Sequence, residues 1–302
     1  MLLHLLLTWF ILLIQYNNKS ITVFSQLLNP DDPLTLKEVT SIPGIRPFYV
    51  GSVHYDWCLK SEADQVSLMT EILTKKQNNC LVVDVGMNDG FYTAMAGAFG
   101  CQVYSFELQR RCIELAELAI NKNGFTELVN IFHRPVSRKN NELISIPFPS
   151  SDYCDGGFTF SGFDQIERSH SQVHRFVNRT FSTISLNSIL PKSTFIDVLK
   201  IDVEGHETEV LSGAMNIFRE YRVGTAVVEL SGPVAYNNVT ELLELYRQIV
   251  SFGYSLTTLN CRPGRGDPEI FNNETFQGFI DYFYISIWSR WRCMDIKIHL
   301  MG

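Results

Sequence analysis

Asp84-Val85-Gly86-Met87-Asn88-Asp89-Gly90 joins a short apolar run, Leu81 to Val85, to a stretch of helical pattern from Phe91 to Phe99. Gly86 permits a tight turn with close backbone approach, and the free amides that open a helix receive an anion such as a carboxylate. In this reading Gly86, Asn88 and Gly90 shape the turn, and Asp84 holds a cationic amino group directly or through water. Glu107 follows the next strand pattern, and its two oxygens can accept both hydroxyl protons of a ribose. The four residues from Gly86 to Gly90 replace the closer Gly-x-Gly-x-x-Gly spacing that pyrophosphate needs, so a nucleoside with an amino-acid end fits better than a dinucleotide. A lone structural turn would show the same two glycines; Glu107 at a neighbouring strand end is what adds weight.

A second dense run, Asp197-Val198-Leu199-Lys200-Ile201-Asp202-Val203-Glu204-Gly205-His206-Glu207, closes what reads as the fourth parallel strand. Ligands of open α/β sheets collect outside those strand ends, which makes Asp202, Glu204 and His206 the catalytic candidates and puts Asp202 against the cofactor as well. Acids and an imidazole there can orient and deprotonate an acceptor hydroxyl, with His206 as base at its ordinary pKa or Glu204 if burial raises its own. The plainer roles are a helix cap or amide acceptor for Glu204 and a surface position for His206. Glu229 ends the fifth strand and could join Asp202 around magnesium, which oxygen ligands suit, although two carboxylates do not establish a metal site. Behind the third strand, Arg134-Pro135-Val136-Ser137 stands where the base of a nucleoside would pass, and Ser137 is the candidate contact.

Strands and helices must alternate to place these residues, and they do. Strand patterns cover Leu81–Val85, Gln102–Phe106, Val129–Phe132, Asp197–Ile201 and Thr225–Leu230; helical spacing covers Glu62–Lys75, Arg110–Asn123, the stretch holding Val210 to Phe218, and Asn238–Val250. That rhythm predicts a mostly parallel sheet covered on both faces. Tyr254–Leu259 and Gly278–Trp288 read as final antiparallel strands. Residues 135–194 break the rhythm with Pro147, Pro149, Gly156 and Gly157, and form an insertion whose Tyr153, Phe158, Phe160 and Phe163 could wall an acceptor pocket or pack as its own small core.

The chain has 302 residues, 45% of them hydrophobic, enough for a large core. A net charge of −7 supplies no basic stripe, so nucleic acid is disfavoured as a partner. Residues 1–25 read as a signal peptide or short membrane anchor, with Leu2–Ile14 too short for an ordinary span and no Lys or Arg ahead of it. Residues 26–60, rich in proline from Pro30 to Pro47, read as a linker or wrapping arm; 61–290 form the main domain and 291–302 a tail. Of the seven cysteines, Cys80, Cys101 and Cys112 read as small buried hydrophobes, whereas Cys58, Cys154, Cys261 and Cys293 are free to bridge in an oxidising compartment. Asn-x-Ser/Thr sites at Asn18, Asn178, Asn238 and Asn273 are compatible with the secretory lumen, a cytoplasmic location being the alternative.

The Asp84–Gly90 loop, Phe106-Glu107, and Lys200 to Glu207 with Leu211-Ser212-Gly213-Ala214 resemble the FkbM family of methyltransferases over roughly Leu81 to Leu230. The resemblance implies a Rossmann-like class I methyltransferase fold, S-adenosylmethionine as donor, and an oxygen acceptor on a sugar, glycan or other small molecule. Ser185-Leu186-Asn187 departs from the family's common Thr-Leu-Asp, which puts an acceptor or metal contact there in doubt. Two other readings keep the same sheet: an inactive cofactor- or glycan-binding module, and an NAD-dependent oxidoreductase.

Overall fold

The computed structural model describes residues 32–76, 78–149, 154, 176–229, 239–261, 269–289 and 293–301. The leader reading and the aromatic wall at Tyr153, Phe158, Phe160 and Phe163 lie outside these residues. Among the described residues no helix is long and apolar enough to cross a membrane.

Five parallel strands form one side of an eight-stranded sheet: β3 (Leu81–Val85), β4 (Gln102–Phe106), β5 (Val129–Phe132), β8 (Ile196–Ile201) and β9 (Val223–Glu229). With β10 (Tyr254–Cys261), β11 (Ile270–Phe271) and β12 (Cys293–Leu300), the sheet runs β11-β10-β12-β9-β8-β3-β4-β5. Chain direction turns outward from β3 to β4 and β5 on one side and to β8 and β9 on the other, so the carboxyl ends of β3 and β8 flank a switch point. This is the mostly parallel sheet that the alternation predicts, in the Rossmann-like class I arrangement that the resemblance implies.

The core strands read as continuous apolar runs because both faces are covered. Val83, Val85, Leu199 and Ile201 pack on α6 (Glu207–Arg219), α7 (Val239–Ser251) and α8 (Phe276–Ser289), while Val82, Val103 and Val198 pack on α2 (Ala63–Thr74) and α3 (Phe91–Ala98). Helix α4 (Arg110–Asn123) stops at Gly124, whose φ of +74° is a left-handed cap that glycine adopts without strain.

Three expectations are corrected. Gly278–Trp288 is not a strand but lies within α8, where Phe279, Tyr282 and Phe283 are buried at helical spacing; aromatic density outweighed period in the strand reading. The strand comes instead from the expected tail: β12 (Cys293–Leu300) runs antiparallel to both β9 and β10 (Tyr254–Cys261), with β11 (Ile270–Phe271) at the edge. The cysteines also pair otherwise. Cys80 bonds Cys101, since both precede strands in direct register, and Cys112 of α4 bonds Cys154 of the insertion, leaving Cys58 as a buried free thiol. Cys261 and Cys293 occupy facing register positions on β10 and β12.

The expected arm is a structured element. β1 (Leu36–Val39) and β2 (Phe48–Gly51) form a hairpin; Phe48 and Val50 of β2 are buried in the same cluster as α2 and α3, and α1 (Tyr55–Lys60) follows. The insertion contributes the hairpin β6 (Leu143–Pro149) and β7 (Phe176–Ser182), then the short α5 (Leu186–Ile189).

Candidate active site

Backbone geometry at the end of β3 makes the cleft. Gly86 has a φ of +83°, and a Cβ there would stand 1.7 Å from the carbonyl oxygen of Asp202, so only glycine lets β3 and β8 close at this point. The Asp202 amide donates to Val85 O at 2.9 Å, and the amides of Gly86 and Met87 donate to Phe106 O at 2.9 and 3.0 Å. Three strand ends are thereby locked together. Asn88, at φ +52°, and Gly90, at +85°, carry the chain into α3.

The loop and the acid meet. Glu107 accepts the Asn88 amide on Oε2 at 2.9 Å and the amides of Leu108 and Gln109 on Oε1 at 2.7 and 2.8 Å. Burial pushes its carboxyl above the ordinary value, and the three amide bonds offset only part of that rise. A cleft opens beside it, lined by Gly86, Asn88, Glu107, Arg134, Pro135, Val136, Asp202, Glu204 and His206 among others.

Not every predicted contact reaches the cleft. Asp84 is fully buried beneath the loop, where Oδ2 accepts the Thr93 hydroxyl at 2.7 Å and Oδ1 has no hydrogen-bond partner. Its alternation on β3 turns it toward α3, and it is not among the lining residues. Gly90 is the turn residue at the start of α3, packed against Ala116, and is not a lining residue. Ser137 is buried, its carbonyl closely facing Gly213 of α6, and it does not line the cleft, whereas Arg134, Pro135 and Val136 do. Arg134 is itself fixed by Ser182 O at 2.9 Å and Asn141 Oδ1 at 2.9 Å.

The β8 end gathers charge. Lys200, 5% exposed, donates to Asp202 Oδ2 at 2.7 Å and stands 5.3 Å over the Tyr92 ring. Burial opposes the Lys200 charge, but Asp202, Asp84 and Glu62 outweigh it and raise the ammonium pKa. Burial likewise works against an ionised Asp202, yet Lys200, a hydrogen bond with Glu229 and the nearby His54 hold it below its ordinary value. Glu229 moves the other way, pushed well up by burial and the carboxylates of Asp202 and Glu204.

Asp202, Glu204 and Glu229 bring carboxylate oxygens within 4.8 Å of one another, a ligand set for a divalent ion by type. Lys200, 2.7 Å from Asp202, already offsets one of these three charges.

Glu204 lines the cleft at the strained φ of +52°. His206 lines it too, at the N-terminal cap position of α6. Burial, with Arg138 adding to it against the pull of Glu209, lowers its pKa to about 4. His206 is therefore neutral near pH 7 but a weak proton acceptor. Glu207, unassigned in the sequence reading, braces the turn by accepting the amides of Val203 at 3.2 Å and Gly205 at 3.0 Å. Asn187 donates to Gly213 O at 2.9 Å, a bond an aspartate could not make, so at this departure from the common motif the side chain ties α5 to α6.

Sequence reasoning missed the buried polar cluster that the arm supplies. Asp89 Oδ2 accepts the amides of Val53 and His54 at 2.9 and 3.0 Å, and Asp89 Oδ1 lies 3.6 Å from His54 Nδ1. Tyr92 donates to Glu62 at 2.6 Å, and Trp57 Nε1 donates to the same carboxylate at 2.8 Å. The one available signal was the acid at position 89, a charge inside a turn otherwise explained by its glycines. The disulfide Cys112–Cys154 also touches the loop, each sulfur lying 3.4 Å from Asn88 Oδ1.

A comparison with protein families matches residues 84–256 to the methyltransferase FkbM domain. A comparison with curated proteins finds no match. Among solved structures, the methyltransferase FkbM from Methylobacillus flagellatus KT is 17% identical, with 64% of this chain and 43% of that chain covered at a TM-score of 0.41. This chain thus spans less than half of that protein. SMU.1697c from Streptococcus mutans, solved in complex with SAH, is 9% identical over 78% of this chain and 97% of its own, with a TM-score of 0.40. The METTL16 catalytic domain, solved in complex with MAT2A 3'UTR hairpin 1, is 8% identical over 78% and 68%, with a TM-score of 0.38. With the family match spanning more than half of the sequence and enclosing the cleft from Asp84 to the start of β10, the chain belongs to the FkbM methyltransferase family.

Proposed function

We propose that the protein transfers a methyl group from S-adenosylmethionine to a hydroxyl oxygen of a sugar, glycan or other small molecule. The observation that carries the reading is the 2.9 Å bond between the Asn88 amide and Glu107 at the rim of one cleft, which places the helix-opening turn and the strand-end acid side by side. Glu107 retains lone pairs for ribose hydroxyls, the turn before α3 offers a place for the carboxylate, and Arg134 to Val136 form the wall along the base. When bound, the cofactor supplies an electrophilic methyl on a positively charged sulfur.

Methyl transfer needs alignment more than covalent help. Asp202, held by Lys200, lines the cleft, and Glu204 beside it can accept a hydrogen bond from an acceptor hydroxyl. The net charge of −7 favours a small hydroxylated acceptor over a polyanion. Two disulfides, with exposed Asn178 and Asn273 in Asn-x-Ser/Thr sites, support placement in an oxidising lumen of the secretory pathway or outside the cell.

The test is calorimetric titration with S-adenosylhomocysteine and with NAD, followed by labelled-methyl incorporation into panels of free sugars, glycans and RNA hairpins. Micromolar binding of S-adenosylhomocysteine and label in a sugar or glycan are expected. Binding of NAD alone overturns the cofactor, and label confined to RNA overturns the acceptor.

A further inference from the structure

The turn that carries Glu204 holds a conformation that its own sequence disfavours. It leaves β8 at Asp202 and enters α6 at Glu207, and the His206 amide closes it on Val203 O at 3.3 Å. The two residues between, Glu204 and Gly205, have φ of +52° and +105°. A turn with positive φ at both central positions is ordinarily filled by Asn-Gly or Gly-Gly, because a Cβ in that conformation crowds the following carbonyl oxygen. Gly205 meets the requirement and Glu204 does not. Glu204 also stands among like charges, with a carboxylate oxygen within 4.8 Å of one from Asp202 and one from Glu229. What the position gains is the cleft, which Glu204 lines. A disfavoured backbone that persists at a binding cleft has to be held by its surroundings.

Both ends of this turn are held. At the near end the Asp202 amide donates to Val85 O at 2.9 Å, and Asp202 O stands where a Cβ on Gly86 would be. At the far end Glu207 is fully buried. Its Oε1 accepts the Val203 amide at 3.2 Å and the Gly205 amide at 3.1 Å, and its Oε2 lies 3.0 Å from the same Gly205 nitrogen. An acid at the start of a helix ordinarily serves the first amides of that helix or its dipole. The Val203 and Gly205 amides lie ahead of α6 instead, one on each side of Glu204.

From this geometry we infer that Glu207 is a positioning residue, a clamp that holds Glu204 in the left-handed conformation in which its carboxylate faces the cleft. The use of that carboxylate, to receive the acceptor hydroxyl, rests on the methyl-transfer reading above; the clamp does not. Fold stability and function are opposed at this turn. Relaxing Glu204 strengthens the fold and weakens turnover, and Glu207 matters to the fold chiefly while a strained residue stands between the amides it holds.

The deciding experiment is a double-mutant cycle on the full chain, read as thermal midpoints without cofactor at one scan rate. Glu204→Gly is expected to raise the midpoint by about 2 °C, because glycine takes the left-handed backbone without strain. Glu204→Gln, which loses the charge and keeps the strain, is expected to raise it less. Glu207→Ala is expected to lower the midpoint by about 6 °C alone and by about 3 °C beside Glu204→Gly. Equal losses in the two backgrounds, or a Glu204→Gly chain less stable than the wild type, overturn the clamp. A Glu207→Ala chain that fails to fold should be recovered by Glu204→Gly, and failure in both backgrounds counts as equal loss. Turnover is read separately, as labelled-methyl incorporation into the sugar and glycan panel. At saturating S-adenosylmethionine, Glu204→Gly and Glu207→Ala are each expected to lose about thirtyfold in rate, with the KM for S-adenosylmethionine within about threefold of wild type. Glu207→Gln, whose carbonyl oxygen can take both amides as Oε1 does, should restore most of the rate. An unchanged rate in Glu207→Ala overturns the positioning role. A wild-type chain that methylates nothing in the panel removes the methyl-transfer reading, and the unfolding cycle still decides the clamp.

Discussion

The turn around Gly86 and the charged cluster around Asp202 are built by different means. Around Gly86 the work is done by backbone: amides and carbonyls of β3, β4 and β8 hold one another within 2.9–3.0 Å, and glycine is the residue the contact admits. Around Asp202 it is done by side chains from several segments, His54 from the arm, Glu62 from the start of α2, Lys200 from β8 and Glu229 from β9. Backbone architecture constrains residue type at fixed spacing. A side-chain cluster can be assembled from many sequences, which leaves the acceptor free to vary over one constant donor site.

Substitutions should separate the halves, and binding of S-adenosylhomocysteine gives a common scale. Gly86→Ala is the most damaging: the left-handed backbone and the clash with Asp202 O together cost about 3 kcal/mol or more, and folded protein, if recovered, should show no measurable binding. Near-normal affinity in this variant would mean that β3 and β8 can separate without disturbing the cleft. Glu107→Ala removes a charged acceptor from two hydroxyls and from three loop amides, with an expected loss of about 30-fold, roughly 2 kcal/mol. A calorimetric titration that finds wild-type affinity would take Glu107 out of the site. Cys154→Ala cuts the tie between α4 and the insertion. The protein should lose about 2–4 kcal/mol of stability by denaturant unfolding, yet only about threefold in affinity, because Asn88 keeps its bond to Glu107 and loses just the sulfur contact. A hundredfold loss would show that the two halves are one mechanical unit.

The same division explains what could be read before the fold was seen. β3, β4, β5 and α4 occupy the residues that their patterns predict, because buried parallel strands and a helix closed by Gly124 leave strong local signatures. Gly86, Asn88, Glu107 and Asp202 meet as their strand-end positions required. Asp84 and Ser137 do not line the cleft, because which way a strand-end residue faces depends on the twist and on the neighbouring helices. His54 was invisible because its partner, Asp89, is thirty-five residues away on another element. The proline-rich stretch before it reads as a linker when nothing shows what it packs against. α8 misled for a related reason: a helix buried through Phe276, Phe279 and Phe283 carries the aromatic content of a strand.

The antiparallel strand at the heart of the sheet constrains the order in which the molecule can be made. β10 has no hydrogen bond to β9; β12 separates them, and it is synthesised some thirty residues after β10. On the ribosome, the donor-side strands β3, β4, β5, β8 and β9 can therefore pair as they emerge, while β10 and α8 wait with apolar surface uncovered. That interval is when a nascent chain of this fold most needs shielding from its neighbours.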